Sequence, residues 1–193
     1  MAGIPAIDTG PMTIAEFYAF TDTRPDEEKW ELFDGEPVLN ASPSPLHQWI
    51  LRNLIVALAF QERELGAAWG VIPGIGAHVS NISRPEPDVM IVPRPGAGLD
   101  LQRRDTESAI VLFEIMSPST SSRDLKWKRT AYTGMSALTH YVVVAQDRID
   151  VVVFARDRGF VEQRLRSPDD VVNLSGLGVR LPLSEIYRDT GLL

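Results

Sequence analysis

The chain has 193 residues, of which 44% are hydrophobic and none is cysteine. The lack of cysteine excludes disulfide bonds, thiolate zinc sites and a thiol nucleophile. Nineteen basic residues against 26 acidic ones give a net charge of -7, which weighs against broad, nonspecific binding of nucleic acid, because such binding depends on the neutralisation of phosphates.

The length suits one globular domain, and we expect a single domain over residues 1–193. The N-terminus has no basic segment followed by an apolar core, and the longest apolar run covers only residues 54–60. A membrane-spanning helix needs ~20 apolar residues. We therefore expect a soluble, cytoplasmic protein with no membrane partner.

Two helices and a hairpin are predicted in the N-terminal part. The spacing of Thr13 and Glu16 indicates a capping box and a short helix. The segment WELFDGEPVL (residues 30–39) predicts a β-hairpin, because Asp-Gly is a favoured turn dipeptide between two short strands. Ser44, followed by Pro45, predicts the cap and first turn of a longer helix that runs to Gly66.

Glu31, in the first strand of the hairpin, has two interpretations. It is an accessory acidic residue of a site, or a charge at the edge of a strand. We interpret it as the strand-edge charge.

The segments VIPGIGAHVS (71–80) and EPDVMIV (86–92) predict two further strands. In the second, Asp88 follows Pro87 and opens the apolar run 89–92. Proline lacks a backbone donor and suits the first residue of a strand. We interpret Gly74 and Gly76 as kinks or a bulge in the first of these strands.

A carboxylate interrupts the most apolar strand of the chain. Every residue from Ile110 to Met116 except Glu114 is apolar, which is typical of a central strand that is covered on both faces. An uncompensated carboxylate in such a place costs roughly several kcal/mol. We therefore expect a positive group beside Glu114.

The basic helix that follows Ser117-Pro118 supplies a candidate. On a helical wheel Lys128 projects from the apolar face that Leu125 and Tyr132 share, and Lys126 lies at roughly 200° from Lys128. Only one of these two lysines can face the sheet. We predict that it is Lys128.

Two carboxylates on neighbouring strands, Asp88 and Glu114, together with Lys128 can hold a hard divalent cation and activate a water. These three residues are the predicted catalytic residues. The two carboxylates are the predicted ligands of Mg²⁺ or Mn²⁺.

Three residues are candidates for substrate contacts. His47 lies near the start of the long predicted helix, where it contacts a substrate phosphate or the acidic site, or is merely packed. Arg123 and Lys126 belong to a stretch, residues 121–130, with four basic residues against one acidic residue, a net of +3. Such a stretch contacts nucleic acid or forms a solvated helix face.

The C-terminal part predicts three antiparallel strands and a final helical turn. The strands are the β-branched segments HYVVVAQ (140–146), RIDVVVFAR (148–156) and GFVEQRL (159–165). The helical turn covers residues 183–187.

The order of these motifs resembles the Uma-type putative restriction endonuclease family of the PD-(D/E)XK nuclease superfamily. The resemblance is carried by Pro87-Asp88, by Glu114 with the following Ser-Pro-Ser-Thr, and by the helix residues Asp124, Lys128, Tyr132 and Gly134. The segments WELFDGEPV and PSPLHQWI are also similar to the family's N-terminal half.

The resemblance implies a restriction endonuclease-like fold of the α/β (α+β) class, with a mixed central sheet flanked by helices and an N-terminal β-hairpin. It implies that Asp88 and Glu114 bind magnesium and that Lys128 orients the attacking water. The superfamily lysine usually lies two residues after the glutamate, where this chain has Met116. Val142 occupies a position where the family usually has tryptophan.

We therefore expect a metal-dependent endonuclease that hydrolyses phosphodiester bonds of DNA, with RNA or a small nucleotide as alternative substrates. A homodimer is expected, since one small domain needs a second copy to cut both strands. Two alternatives stay open: a non-catalytic binding or assembly protein with a structural Glu114–Lys128 pair, and a phosphohydrolase for a small substrate. Asp88 favours the nuclease over the first alternative, because a structural ion pair does not require a second carboxylate.

Overall fold

The computed structural model describes residues 10–116 and 122–193. In these ranges the chain forms α-helices, β-strands and a 3-10 turn at Arg156–Arg158. The helices are α1 (Ile14–Thr21), α2 (Pro45–Glu64), α3 (Ser122–Thr133) and α4 (Leu183–Ile186). The strands are β1 (Trp30–Phe33), β2 (Glu36–Leu39), β3 (Trp69–Pro73), β4 (Gly76–Ala77), β5 (Val89–Pro93), β6 (Asp105–Thr106), β7 (Val111–Met116), β8 (His140–Ala145), β9 (Val151–Ala155), β10 (Glu162–Leu165), β11 (Val171–Leu174) and β12 (Val179–Pro182).

A mixed six-stranded sheet forms the centre of the molecule, in the order β10-β9-β8-β7-β5-β3. The pair β7–β8 is parallel, and the other neighbours are antiparallel. Three two-stranded units, β1–β2, β4–β6 and β11–β12, accompany it. The expected mixed sheet flanked by helices is confirmed, as is the N-terminal hairpin.

The side chains of β7 alternate between two apolar layers, as the period of a strand requires. Phe113 and Ile115 pack into the layer that contains α2, α4 and the β11–β12 hairpin. Leu112 packs into the opposite layer, with Tyr132 of α3. Glu114 has the same parity as Leu112 and therefore points towards α3.

Helix α2 begins as its sequence predicts. The Ser44 side chain accepts a hydrogen bond from the backbone N–H of His47 at 3.1 Å. The buried residues Ile50, Leu54 and Leu58 then recur at helical spacing and cover the sheet. None of the helices in the described ranges is long and apolar enough to cross a membrane.

The interval from residue 71 to residue 80 is not one strand, as the sequence suggested. It is divided into β3 and β4, and Gly74 lies in the gap. A Cβ atom on Gly74 would lie 1.5 Å from the carbonyl oxygen of Pro87, and the Gly74 N–H donates to the carbonyl of Asp88 at 2.9 Å. The absence of a side chain at residue 74 thus lets the chain press against the backbone that carries Asp88.

We predict that Gly74→Ala destabilises the protein by about 1 to 3 kcal/mol, because the added methyl group meets backbone atoms that cannot rotate away. Gly70→Ala is the matched control on β3, where a Cβ would make only ordinary contacts of 3.8 Å and longer. Urea denaturation of both variants measures the difference in the free energy of unfolding. Equal stabilities would contradict the close approach at Gly74.

Candidate active site

The candidate active site lies beside the C-terminal half of β7, where α3 covers the sheet. The side chain of Glu114 is buried, with 5% exposure for the residue. Lys128 Nζ lies 3.0 Å from Oε1 and 3.1 Å from Oε2 of Glu114. The predicted contact between the helix lysine and the strand carboxylate is confirmed.

Tyr132 fixes the same carboxylate from the next turn of α3. Its hydroxyl donates a 2.8 Å hydrogen bond to Glu114 Oε1, and its ring is fully buried against Tyr141. Lys128 and Tyr132 are four residues apart, so both side chains leave the same face of the helix. Lys126, by contrast, is exposed.

Glu31 belongs to the site, which is the interpretation that the sequence analysis weighed and did not choose. Its residue exposure is 3%, and Oε1 lies 3.0 Å from Lys128 Nζ. Asn40 Nδ2 donates to Glu31 Oε2 at 2.8 Å, and the backbone N–H of Glu86 donates to Oε1 at 2.5 Å. The interpretation of Glu31 as a strand-edge charge is therefore wrong.

Asp88 lies immediately before β5, beside β7. Its backbone N–H donates to the carbonyl of Phe113 at 2.9 Å, and its Oδ2 accepts a 2.6 Å hydrogen bond from the N–H of Ile115. Asp88 thus contacts both residues that flank Glu114 on the neighbouring strand, Phe113 through its backbone and Ile115 through its side chain.

His47 approaches Asp88 from the first turn of α2, with 3.1 Å between its Nε2 and Asp88 Oδ1. Of the interpretations offered for His47, contact with the acidic site is the one that the structure supports. The Asp88 side chain is 22% exposed, so it forms the more open side of the cluster.

The cluster carries more negative than positive charge. Burial raises the pKa of Glu114 to about 7; the ammonium of Lys128 opposes this shift, and the carboxylates of Asp88 and Glu31 add to it. Burial alone would lower the pKa of Lys128, but Glu114 and Glu31 together raise it above its ordinary value. The two shifts differ in cause: burial is the largest cause of the raised pKa of Glu114, whereas the carboxylates of Glu114 and Glu31 raise the pKa of Lys128 against the effect of burial.

The donor set suits a hard divalent cation. Carboxylate oxygens are the ligands that Mg²⁺ prefers, and Mg²⁺ is usually bound through one or two carboxylates with waters and substrate phosphates. Asp88 and Glu114 supply two such groups, and their mutual repulsion is relieved by added positive charge. Among the residues that the structure describes, no group of three or more His, Asp or Glu side chains is arranged to hold a metal ion, so waters and substrate phosphates would have to complete the coordination of an ion at Asp88 and Glu114.

Other predicted residues are placed only in part. Arg123 belongs to α3, but its side chain lies outside the described residues. The Ser117-Pro118 break also lies outside them. Lys126 is on the exposed side of α3, away from the buried carboxylates.

Comparison with known proteins agrees with this architecture. The model of the Uma2 family, described as "Putative restriction endonuclease", matches residues 14–184. The chain belongs to the Uma2 family. Membership of this family supports the assignment of the protein as a nuclease.

A solved structure has the same fold as this Uma2 protein. It is a putative nuclease belonging to DUF820 from Anabaena variabilis, with a TM-score of 0.73 and 13% sequence identity. The similarity covers 92% of this chain and 98% of the other. At this identity the likeness shows the fold alone. A comparison with curated proteins gave no significant match.

The raised pKa of Glu114 predicts a pH-dependent stability in metal-free buffer. Between pH 4.5, the ordinary pKa of a glutamate, and about pH 7, the pKa of Glu114 in the folded state, the folded state binds a proton that the unfolded state releases. The stabilisation from protonated Glu114 is therefore full below pH 4.5 and is lost as the pH rises through 7. Relative to Glu114→Gln, the free energy of unfolding of the parent should fall by up to about 3 kcal/mol between pH 4.5 and pH 8.

Chemical denaturation at a series of pH values, with a chelator present, measures this difference. Glu27→Gln is the control, because Glu27 is exposed; its stability should follow that of the parent at every pH. If the free energies of unfolding of the parent and Glu114→Gln changed with pH in the same way, the raised pKa of Glu114 would be contradicted.

Proposed function

We propose that the protein is a metal-dependent endonuclease that hydrolyses phosphodiester bonds of DNA. The observation that carries the proposal is the convergence of Asp88, Glu114 and Lys128 beside the C-terminal half of β7. Membership of the Uma2 family supports the same reaction class. Reaction at phosphorus joins a water oxygen to the phosphorus atom and breaks one ester bond, which leaves a phosphomonoester and a hydroxyl group.

Asp88 and Glu114 would hold Mg²⁺ or Mn²⁺ through their carboxylate oxygens. When bound, such an ion polarises a phosphate and lowers the pKa of a bound water. The contacts from Tyr132 to Glu114 and from Ile115 N–H to Asp88 hold both carboxylates in place before any ligand arrives.

Lys128 would act as a fixed cation and not as a base. Its raised pKa keeps the amine protonated at neutral pH. An ammonium has three N–H donors, and three carboxylate oxygens lie within 3.1 Å of Nζ, one of Glu31 and two of Glu114. Lys128 would orient a water by exchanging one of these contacts, or would stabilise negative charge that develops on the phosphate.

Substrate contacts would come from the surface beside this cluster. Lys126 lies exposed on α3, and Arg123 belongs to the same helix. His47 reaches the open side of the cluster at Asp88. We propose these three residues as contacts for the phosphates that flank the cleaved bond.

The same contacts also suit a non-catalytic protein with a structural ion pair. Lys128 bridges two buried carboxylates, and removal of one partner from such a pair typically costs roughly 3 to 5 kcal/mol. Asp88 is the residue that this alternative does not require. Loss of activity without loss of stability on substitution of Asp88 is therefore the result that separates the two functions.

We predict that Asp88→Asn, Glu114→Gln and Lys128→Met each lower the rate of Mg²⁺-dependent cleavage of supercoiled plasmid by about 100-fold or more, because each removes a charge that acts on the reacting phosphate. Asp88→Asn should leave the free energy of unfolding nearly unchanged, because the amide oxygen of the introduced side chain can still accept a hydrogen bond from the N–H of Ile115.

Matched controls make the same charge changes on exposed residues of the same protein. They are Glu27→Gln and Lys29→Met, both on the surface before β1. These variants should cleave at the parental rate. Parental cleavage by a folded Asp88→Asn variant would contradict the catalytic assignment, and binding of DNA that does not weaken with salt would favour a small substrate.

A further inference from the structure

The outward face of α2 carries an apolar stripe that the described part of the chain leaves largely exposed; one contact to it is the hydrogen bond from the Trp49 indole N–H to the carbonyl of Arg188 at 3.2 Å. Trp49, Val56 and Phe60 are 43%, 55% and 64% exposed. Their spacings of seven and four residues place them on one side of the helix, opposite the buried Leu54 and Leu58. The stripe is about 17 Å long at 1.5 Å per residue.

Charged and aromatic residues are arranged symmetrically about Val56. Arg52 lies four residues before it and Phe60 four residues after it; Trp49 lies seven residues before it and Arg63 seven residues after it. If a second α2 crosses the first in the antiparallel direction at Val56, Arg52 faces Phe60 of the second copy. In the same register Trp49 faces Arg63, so each cation meets an aromatic ring.

Arg52 lies along the stripe, with its guanidinium 5.2 Å from the centre of the Trp49 ring of its own helix and with Nη1 donating to Asn53 Oδ1 at 3.0 Å. A cation of a second copy would add to these contacts or replace them. Arg63 is exposed, and within the described residues it forms no salt bridge. Tryptophan and arginine are the residue types most often found at the energetic centres of protein interfaces.

The edges of the central sheet are less suited to association. At one edge, β10 exposes the polar residues Glu162, Gln163 and Arg164, and charged edges resist strand pairing. At the other edge, the backbone N–H of Val71 in β3 is already bonded to Glu62 Oε2 at 3.2 Å.

We propose that a second copy of this chain docks on the α2 stripe, with the two helices antiparallel and the two-fold axis at Val56. A two-fold interface is built from one surface used twice, so its residues must complement themselves. The α2 stripe meets this requirement through its paired cation and aromatic positions. The α2 stripe would thus be the interface of the homodimer that is expected from the sequence.

Sedimentation velocity of the full chain tests the association. The parent should be a dimer at micromolar concentrations, and Val56→Glu should raise the dimer dissociation constant at least tenfold, because it puts two carboxylates together on the axis. Val161→Glu is the matched control at a valine with 66% exposure outside the stripe and should remain a dimer.

A charge exchange tests the antiparallel register. Arg52→Glu and Phe60→Lys should each weaken the dimer, the second because the introduced lysine faces Arg52 of the other copy. The double variant should recover much of the affinity, since each introduced glutamate then faces an introduced lysine of the other copy. Circular dichroism checks that these surface variants keep the parental fold.

The absence of native cysteine permits a direct test of the axis. Under oxidation Val56→Cys should form a covalent dimer, and Val161→Cys should not. Three results would each overturn the proposal. The first is a parent that stays monomeric up to 200 µM, about 200 times the dissociation constant of a micromolar complex. The others are a Val56→Glu variant that dimerises as tightly as the parent, and a double variant that dimerises no more tightly than the single variants.

Discussion

The structure depends on one buried ammonium group. Lys128 Nζ lies between Glu31, from the N-terminal hairpin, and Glu114, from the centre of the sheet, at 3.0 Å from each. Without Lys128 two carboxylates would be buried together, at a cost of several kcal/mol for each, roughly. The lysine therefore attaches both α3 and the hairpin to the sheet.

This arrangement also explains why the cluster suits chemistry at phosphate. Lys128 offsets only part of the charge of Glu31, Glu114 and Asp88, and burial, together with the charges of Asp88 and Glu31, raises the pKa of Glu114 to about 7. A site with excess negative charge and fixed carboxylates attracts a cation. The structural role and the proposed catalytic role of Lys128 thus follow from the same contacts.

Much of the fold and of this site could be predicted from local patterns. An apolar strand with one carboxylate requires a nearby cation, and helical periodicity selected Lys128 over Lys126. Local patterns could not decide between the two interpretations of Glu31, because it follows the acidic residues Asp26, Glu27 and Glu28 and its partner is far away in the sequence. Nothing local distinguishes a buried carboxylate from a solvated one there.

Two features of the backbone were missed for different reasons. The β11–β12 hairpin was not predicted from the sequence. In both of its strands buried residues alternate with exposed ones, Val172 and Leu174 in β11 and Val179 and Leu181 in β12. The division between β3 and β4 depends on the contact of Gly74 with Pro87. That contact joins separate segments of the chain, so neither segment alone predicts it. That residues 1–193 form one domain stays a prediction.

Isothermal titration of Mn²⁺ into the folded protein, with and without a cleavage-resistant phosphorothioate oligonucleotide, tests the central claim most directly. One ion should bind per chain, more tightly with the oligonucleotide, and this binding should be lost in folded Asp88→Asn but not in Glu27→Gln. Binding that is unchanged in Asp88→Asn, or no binding even with the oligonucleotide, would contradict the claim.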